Sequence, residues 1–176
     1  EAELCVIGRS FADTCQFLRE RYGENFPAVE FRTRCSELFH EYVSKNGMPL
    51  LPHAKEILEY LSQKGYPLAL ASSTRRVVVD RELENAGLTP YFKTVTCGDE
   101  VPHSKPEPDI YLKACASLGF APKNCAAVED SPNGIRSAYR AGMKCIMVPD
   151  QVQPDEELKC LLWKCCPSLA QLEEFL

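Results

Sequence analysis

From residue 54 onward the chain repeats one pattern four times: a helical stretch closed by glycine, then a short apolar run. The stretch 54–64 stops at Gly65 and leads into 67–71, and 74–86 stops at Gly87 and leads into 94–96. The third round, 108–118, stops at Gly119 before 125–128, and the fourth, 132–141, stops at Gly142 before 144–148. Glycine is the residue that ends a helix in a left-handed turn without a steric penalty. Helices alternating with short buried runs have few ways to fold other than as βαβ units. This rhythm predicts an α/β fold with a doubly wound parallel sheet, covered at its end by a last helix carrying Leu169, Leu172 and Phe175.

The first fifty residues lack that alternation. Ser10 with Asp13 three positions on is an N-terminal capping pattern, and Phe11, Cys15, Phe17, Leu18 and Tyr22 form an apolar face that ends at Gly23. Phe31, Cys35, Leu38, Phe39, Tyr42 and Val43 recur at helical spacing before Asn46 and Gly47. Residues 1–50 are therefore expected to form a helical module and 51–176 an α/β core, with the boundary between Pro49 and Pro52.

Composition excludes several classes. A formal charge of −5 with scattered Lys and Arg argues against a nucleic-acid scaffold, which needs clustered cations. No apolar run approaches the roughly 20 residues of a membrane span. The ten cysteines lie mostly in apolar stretches without CxxC spacing, which fits buried thiols in a reducing cytoplasm. Cys160, Cys165 and Cys166 lack the second pair or the adjacent His of a zinc site, so apolar filler is the simpler reading. The expectation is a cytoplasmic monomer with no nucleic-acid or membrane partner.

In a parallel sheet the strands end along one shared edge, so the residues after each apolar run are site candidates. Those positions hold Ser72, Ser73 and Thr74, then Asp99 and Glu100, then Glu129 and Asp130. Adjacent carboxylates at a strand end call for a cation or a shared proton, and oxygen ligation suits Mg2+; they would equally complement the dipole of a helix starting at Ser131 and Pro132. Lys105, in a stretch held extended by Pro106 and Pro108, is either a cation for a phosphate or a solvated charge. Ser72 could hold an anion at a helix start or simply cap that helix.

The joint order of these segments resembles the haloacid dehalogenase-like hydrolase superfamily, in its β-phosphoglucomutase-like branch with a small helical cap. Residues 70–74 (LASST) resemble its second motif, 104–111 (SKPEPDIY) its third, and 128–135 (VEDSPNGI) followed by 141–143 (AGM) its fourth. The resemblance covers the whole chain. It implies a Mg2+-dependent phosphatase of small phosphorylated metabolites in which Ser72 binds the phosphoryl group, Lys105 neutralises it and its carboxylate partner, and Asp130 with Glu129 holds Mg2+. Ser73, Arg75, Arg9 and Asn133 are candidate substrate contacts.

The family's first motif, Asp-x-Asp-Gly at the end of the first strand, is absent from the 176 residues. Residues 6–10 resemble a segment inside the cap, so the expectation is that the central strand, the nucleophile and the first cap helix lie ahead of Glu1. The chain alone is then expected to be inactive. Two rival readings accompany this one: a phosphosugar mutase of the same branch, and a non-catalytic phosphate-binding module. Phe11 stands where the mutases carry a phosphate-binding Arg, which weighs against the mutase.

Overall fold

The computed structural model describes residues 9–176. Two helices, α1 (Phe11–Tyr22) and α2 (Ala28–Asn46), form a hairpin and lead through an irregular segment to α3 (Ala54–Gln63). Alternation then begins: β1 (Ala69–Ser72), α4 (Arg76–Ala86), β2 (Thr94–Cys97), α5 (Asp109–Leu118), β3 (Ala126–Glu129), α6 (Pro132–Arg140) and β4 (Lys144–Met147). The chain finishes through α7 (Glu156–Lys159), β5 (Lys164–Cys165) and a 3-10 segment, Leu169–Glu174.

Local chemistry accounts for the boundaries. Ser10 caps α1 by accepting the Asp13 N–H at 3.2 Å, and Ser131 caps α6 by accepting the Gly134 N–H at 3.0 Å with Pro132 as the first helical residue. Gly87 and Gly119 end α4 and α5 in left-handed conformation, with φ of 67° and 81°.

Every strand pair is parallel. Ala69 to Ser72 lie opposite Thr94 to Cys97, Ala126 to Glu129 lie opposite Lys144 to Met147, and β4 also pairs with β5. Among the described residues these ladders make two sheets, β1-β2 and β3-β4-β5, with no ladder between β1 and β3. The apolar strand β3 consequently leaves Val128 exposed.

Three buried clusters hold the α/β part. Ile110 and Tyr111 of α5 meet Ile135 and Ala138 of α6 over Ala127 and Met147. Ile57 and Leu61 of α3 pack on Ile146 and Leu172, and Val79 and Leu83 of α4 pack on Leu88 and Cys97. Each large apolar side chain so buried contributes roughly 1.5–3 kcal/mol. The hairpin has only a small cluster, Cys15, Leu18 and Ala28, with Phe26 beside it.

Two elements depart most from expectation. Helix α4 starts at Arg76 rather than Thr74, because the Arg76 N–H is taken by Asp99 Oδ1 at 3.0 Å while the Thr74 carbonyl is drawn to the Gly98 N–H at 3.1 Å. The terminal segment is a 3-10 turn rather than an α-helix. Leu169, Leu172 and Phe175 are spaced by three, the period that places side chains in line in a 3-10 helix, and all three belong to the cluster around α3. The nine described cysteines are free thiols, and Cys160 and Cys165 are exposed.

Candidate active site

Lys105 is a buried cation. It lies in the loop between β2 and α5, joined to Pro106 by a cis peptide bond, and only 7% of it is exposed. Its ammonium donates to the Ala71 carbonyl at the end of β1 (3.3 Å), contacts the Glu129 carboxylate at the end of β3, and stands 5.0 Å from the centre of the Tyr111 ring. One amine thus joins the ends of the two sheets. A solvated lysine has no such partners, so the structure removes that reading.

Glu129 is engaged on both oxygens. Oε1 receives Lys105 and the Tyr111 hydroxyl (2.6 Å), while Oε2 accepts from the Ser131 hydroxyl (3.0 Å) and from the N–H groups of Asp130 and Ser131 (3.2 and 3.3 Å). Burial pushes this carboxyl upward, but the Lys105 charge and these hydrogen bonds outweigh it and hold Glu129 below the usual carboxylate range. Tyr111 moves the other way, pushed well above the ordinary phenol by burial and by Glu129. Gly134 is required here, since a Cβ at that position would overlap the Glu129 carboxyl group.

Asp130 follows at the same strand end and keeps contact with solvent. Partial burial and the adjacent Glu129 charge raise its carboxyl above the ordinary aspartate value. The two neighbours therefore carry opposite shifts. Glu129 has its counter-charge in Lys105, and Asp130 is the carboxylate that a further cation would relieve. Among the described residues no three His, Cys, Asp or Glu side chains converge on one metal position. A single open carboxylate beside solvent fits a hard divalent ion that retains several waters.

The end of β1 supplies the other half. Ser72 Oγ accepts the Thr74 N–H at 3.2 Å, and Gly98 approaches the Ser73 backbone so closely that a Cβ there would overlap it. Because Asp99 serves the first turn of α4, Ser72 organises the turn rather than capping the helix. Arg75 is exposed at the position preceding α4.

A cleft of about 500 Å3 opens between α1 and the Lys105 loop, with Arg9, Asp13 and Glu20 on one wall and His103, Lys105 and Asn133 on the other. Arg9, Lys105 and Asn133 thus line one cleft, with Glu129 and the end of β1 joined to them through Lys105; Arg75 does not line it. The Arg9 guanidinium lies 5.1 Å from the Phe17 ring centre.

Two residues went unassigned in the sequence reading. Tyr111 sits in the Lys105 segment, and its spacing of six from the lysine was the available signal. Asp13 read only as part of a helix cap, yet its carboxylate accepts from Ser10 Oγ (2.8 Å) and from Ser104 Oγ, ninety-one residues away. No local pattern announces a contact of that range. Burial raises the Asp13 carboxyl, and the Ser104 and Ser10 hydrogen bonds reverse this and bring it below the ordinary value.

Comparison with known proteins places the fold in a family. The sequence profile of haloacid dehalogenase-like hydrolases matches residues 5–148. Protein CbbY of Rhodobacter capsulatus is 31% identical over 132 residues, 73% of this chain and 58% of that protein. The putative phosphatase YhcW of Bacillus subtilis is 34% identical over 137 residues, 78% of this chain and 61% of that protein. The chain therefore spans 58% and 61% of the length of these two relatives. The crystal structure of CbbY from Rhodobacter sphaeroides in complex with phosphate superposes with a TM-score of 0.80 at 27% identity, covering 97% of this chain and 78% of that one.

Proposed function

The chain belongs to the haloacid dehalogenase-like hydrolase family, and from that footing we propose that it serves a Mg2+-dependent phosphatase of small phosphorylated metabolites, such as sugar or nucleoside monophosphates. The observation that carries the reading is Lys105, a buried cation at the junction of two parallel strand ends. Such an edge is where α/β folds bind ligands, and an ammonium in a site of low dielectric is a strong partner for a phosphoryl group.

Each residue then has a task. Lys105 neutralises the phosphoryl oxygens and the attacking carboxylate, held in place by Glu129 and Tyr111. Ser72 turns its hydroxyl to the phosphoryl group, and the backbone N–H groups after it add donors. Asp130 is the protein carboxylate that meets Mg2+, with Glu129 supporting from behind, since both Glu129 oxygens already accept from the protein. Mg2+ supplies charge neutralisation at the phosphoryl oxygens. Ser73, Arg9 and Asn133 face substrate, and Arg75 adds positive potential at the start of α4.

The reaction also needs a carboxylate nucleophile that forms an aspartyl-phosphate, and a general acid. In this reading both come from outside the 176 residues, on a strand entering between β1 and β3. Neither of those edges has a ladder among the described residues, and the Lys105 ammonium already reaches both strand ends. The helical hairpin acts as a cap over the site, and the free thiols of the nine described cysteines fit a cytoplasmic setting, where the protein acts as a monomer.

The test uses the complete protein and a generic aryl phosphate. Asp130→Asn and Lys105→Ala should each abolish Mg2+-dependent hydrolysis while circular dichroism confirms folding. Turnover persisting in both variants would remove the proposed site.

A further inference from the structure

We propose that Asp13 is a positioning residue, a clasp by which the helical hairpin takes its closed position from the loop that carries Lys105. This rests on the phosphatase reading above and extends it to how the site is closed.

The Lys105 loop is fixed from the core side. Ser137 Oγ donates to the Glu107 carbonyl at 2.6 Å, and Arg140 donates to the Pro106 carbonyl (3.2 Å) and to the Glu107 carboxylate (2.6 Å). His103 pairs with Asp109 in the first turn of α5 at 3.0 Å. These contacts come from α5 and α6 and anchor the loop from the core side. Ser104 projects from it toward α1.

On the other wall, Asp13 lies in the first turn of α1, and its carboxylate accepts from the cap residue Ser10 and from Ser104 together. Ser10 orients the carboxylate, and Ser104 supplies the contact across the cleft. The remaining charged groups near this clasp are Arg9, Glu20, His103, Lys105 and Glu107 in the cleft walls. A hydrogen bond to a charged, partly buried acceptor is among the stronger ones a side chain makes. Since Ser104 directly precedes Lys105, a hairpin seated by Asp13 closes the cleft in register with the catalytic ammonium. Asp13 acts through Ser104 and is not asked to touch the reacting atoms.

The test has two readouts in the complete protein. In hydrogen exchange, Asp13→Ala and Ser104→Ala should each raise exchange of the α1 amides and of residues 103–107 without raising it in α6. This requires no turnover, so it separates failure of the clasp from failure of the phosphatase reading. In aryl phosphate hydrolysis each variant should lower kcat/KM about tenfold, mostly through KM, and the double variant should be no worse than either single one. Ser104→Thr, which keeps the hydroxyl, should restore both readouts. Additive losses in the double variant, or unchanged exchange in α1 and residues 103–107 in both singles, would overturn the proposal; if Asp13→Ala fails to fold, the Ser104→Ala and Ser104→Thr pair decides it.

Discussion

Helices α2 and α5 make an instructive contrast. The nineteen-residue α2 buries a single residue, Ala28, and leaves Phe31, Leu38, Phe39 and Tyr42 exposed. The ten-residue α5 buries Ile110, Tyr111, Ala114 and Cys115 and packs against β1, β2 and α6. Both sequences carry an apolar face, but only α5 has neighbours on it. Helical periodicity therefore states which face can be buried, and the neighbours decide whether it is. In the described residues the α/β part is held by three buried apolar clusters, while the hairpin is packed along a short seam and anchored to the core by polar contacts such as Asp13 with Ser104 and His40 with Arg81.

The largest expected effect breaks the core at the buried ion pair of Lys105 and Glu129. Lys105→Met should destabilise the fold by about 3–5 kcal/mol, because it strands the Glu129 carboxylate without its counter-charge. Urea unfolding as a function of pH checks the sign. In the parent protein Glu129 has a lowered folded pKa, so its stabilisation is complete above the unfolded value of 4.5 and is lost as pH falls through the folded value. In Lys105→Met that dependence should reverse, with Glu129 titrating above its unfolded value and stability rising on acidification. Retention of the parent profile would mean the pair is not the local anchor.

Next comes apolar packing. Ile135→Ala, at a site with no exposure, should cost about 2–5 kcal/mol in chemical denaturation, whereas Leu38→Ala on the open face of α2 should fall within about 0.5 kcal/mol. Similar costs for the two would break the contrast between core and hairpin.

Smaller still is Gly134→Ala, expected to cost about 1–3 kcal/mol by forcing the Glu129 carboxyl away from the start of α6. It should also lower activity more than Ile135→Ala does at equal loss of stability, since it moves the residue that holds Lys105. The smallest effect concerns Asp130. Its raised carboxyl works against folding at pH values above its folded pKa, so added Mg2+ should raise the melting temperature at pH 7 and lose this effect as pH falls through that folded pKa, which lies above the ordinary aspartate value of 3.8. Asp130→Asn should be insensitive to Mg2+ across that pH range.

The helix and strand order was legible because each round ends in a glycine and each strand is a short apolar run. The site motifs were legible for a related reason: strand ends place chemistry at predictable positions. Ser72, Glu129 and Asp130 were singled out that way, and Lys105 by the extended stretch that Pro106 and Pro108 impose before α5. The division of labour between Glu129 and Asp130 was not legible, because it depends on which carboxylate the Lys105 amine and the Tyr111 hydroxyl reach. Nor was the start of α4, which Asp99 sets from another strand end.

The sequence by itself determined the alternation of elements, the fold class and the residue types at the edge of the sheet, since these depend on local periodicity and turn chemistry. Only the tertiary structure decided that Lys105 is buried, that Glu129 is its partner and that Asp13 reaches Ser104. Those facts rest on through-space contacts between segments as far as ninety-one residues apart, and on the exclusion of water between them. Charge, burial and hydrogen bonding act over a few ångströms, and chain order places no such limit on which residues meet.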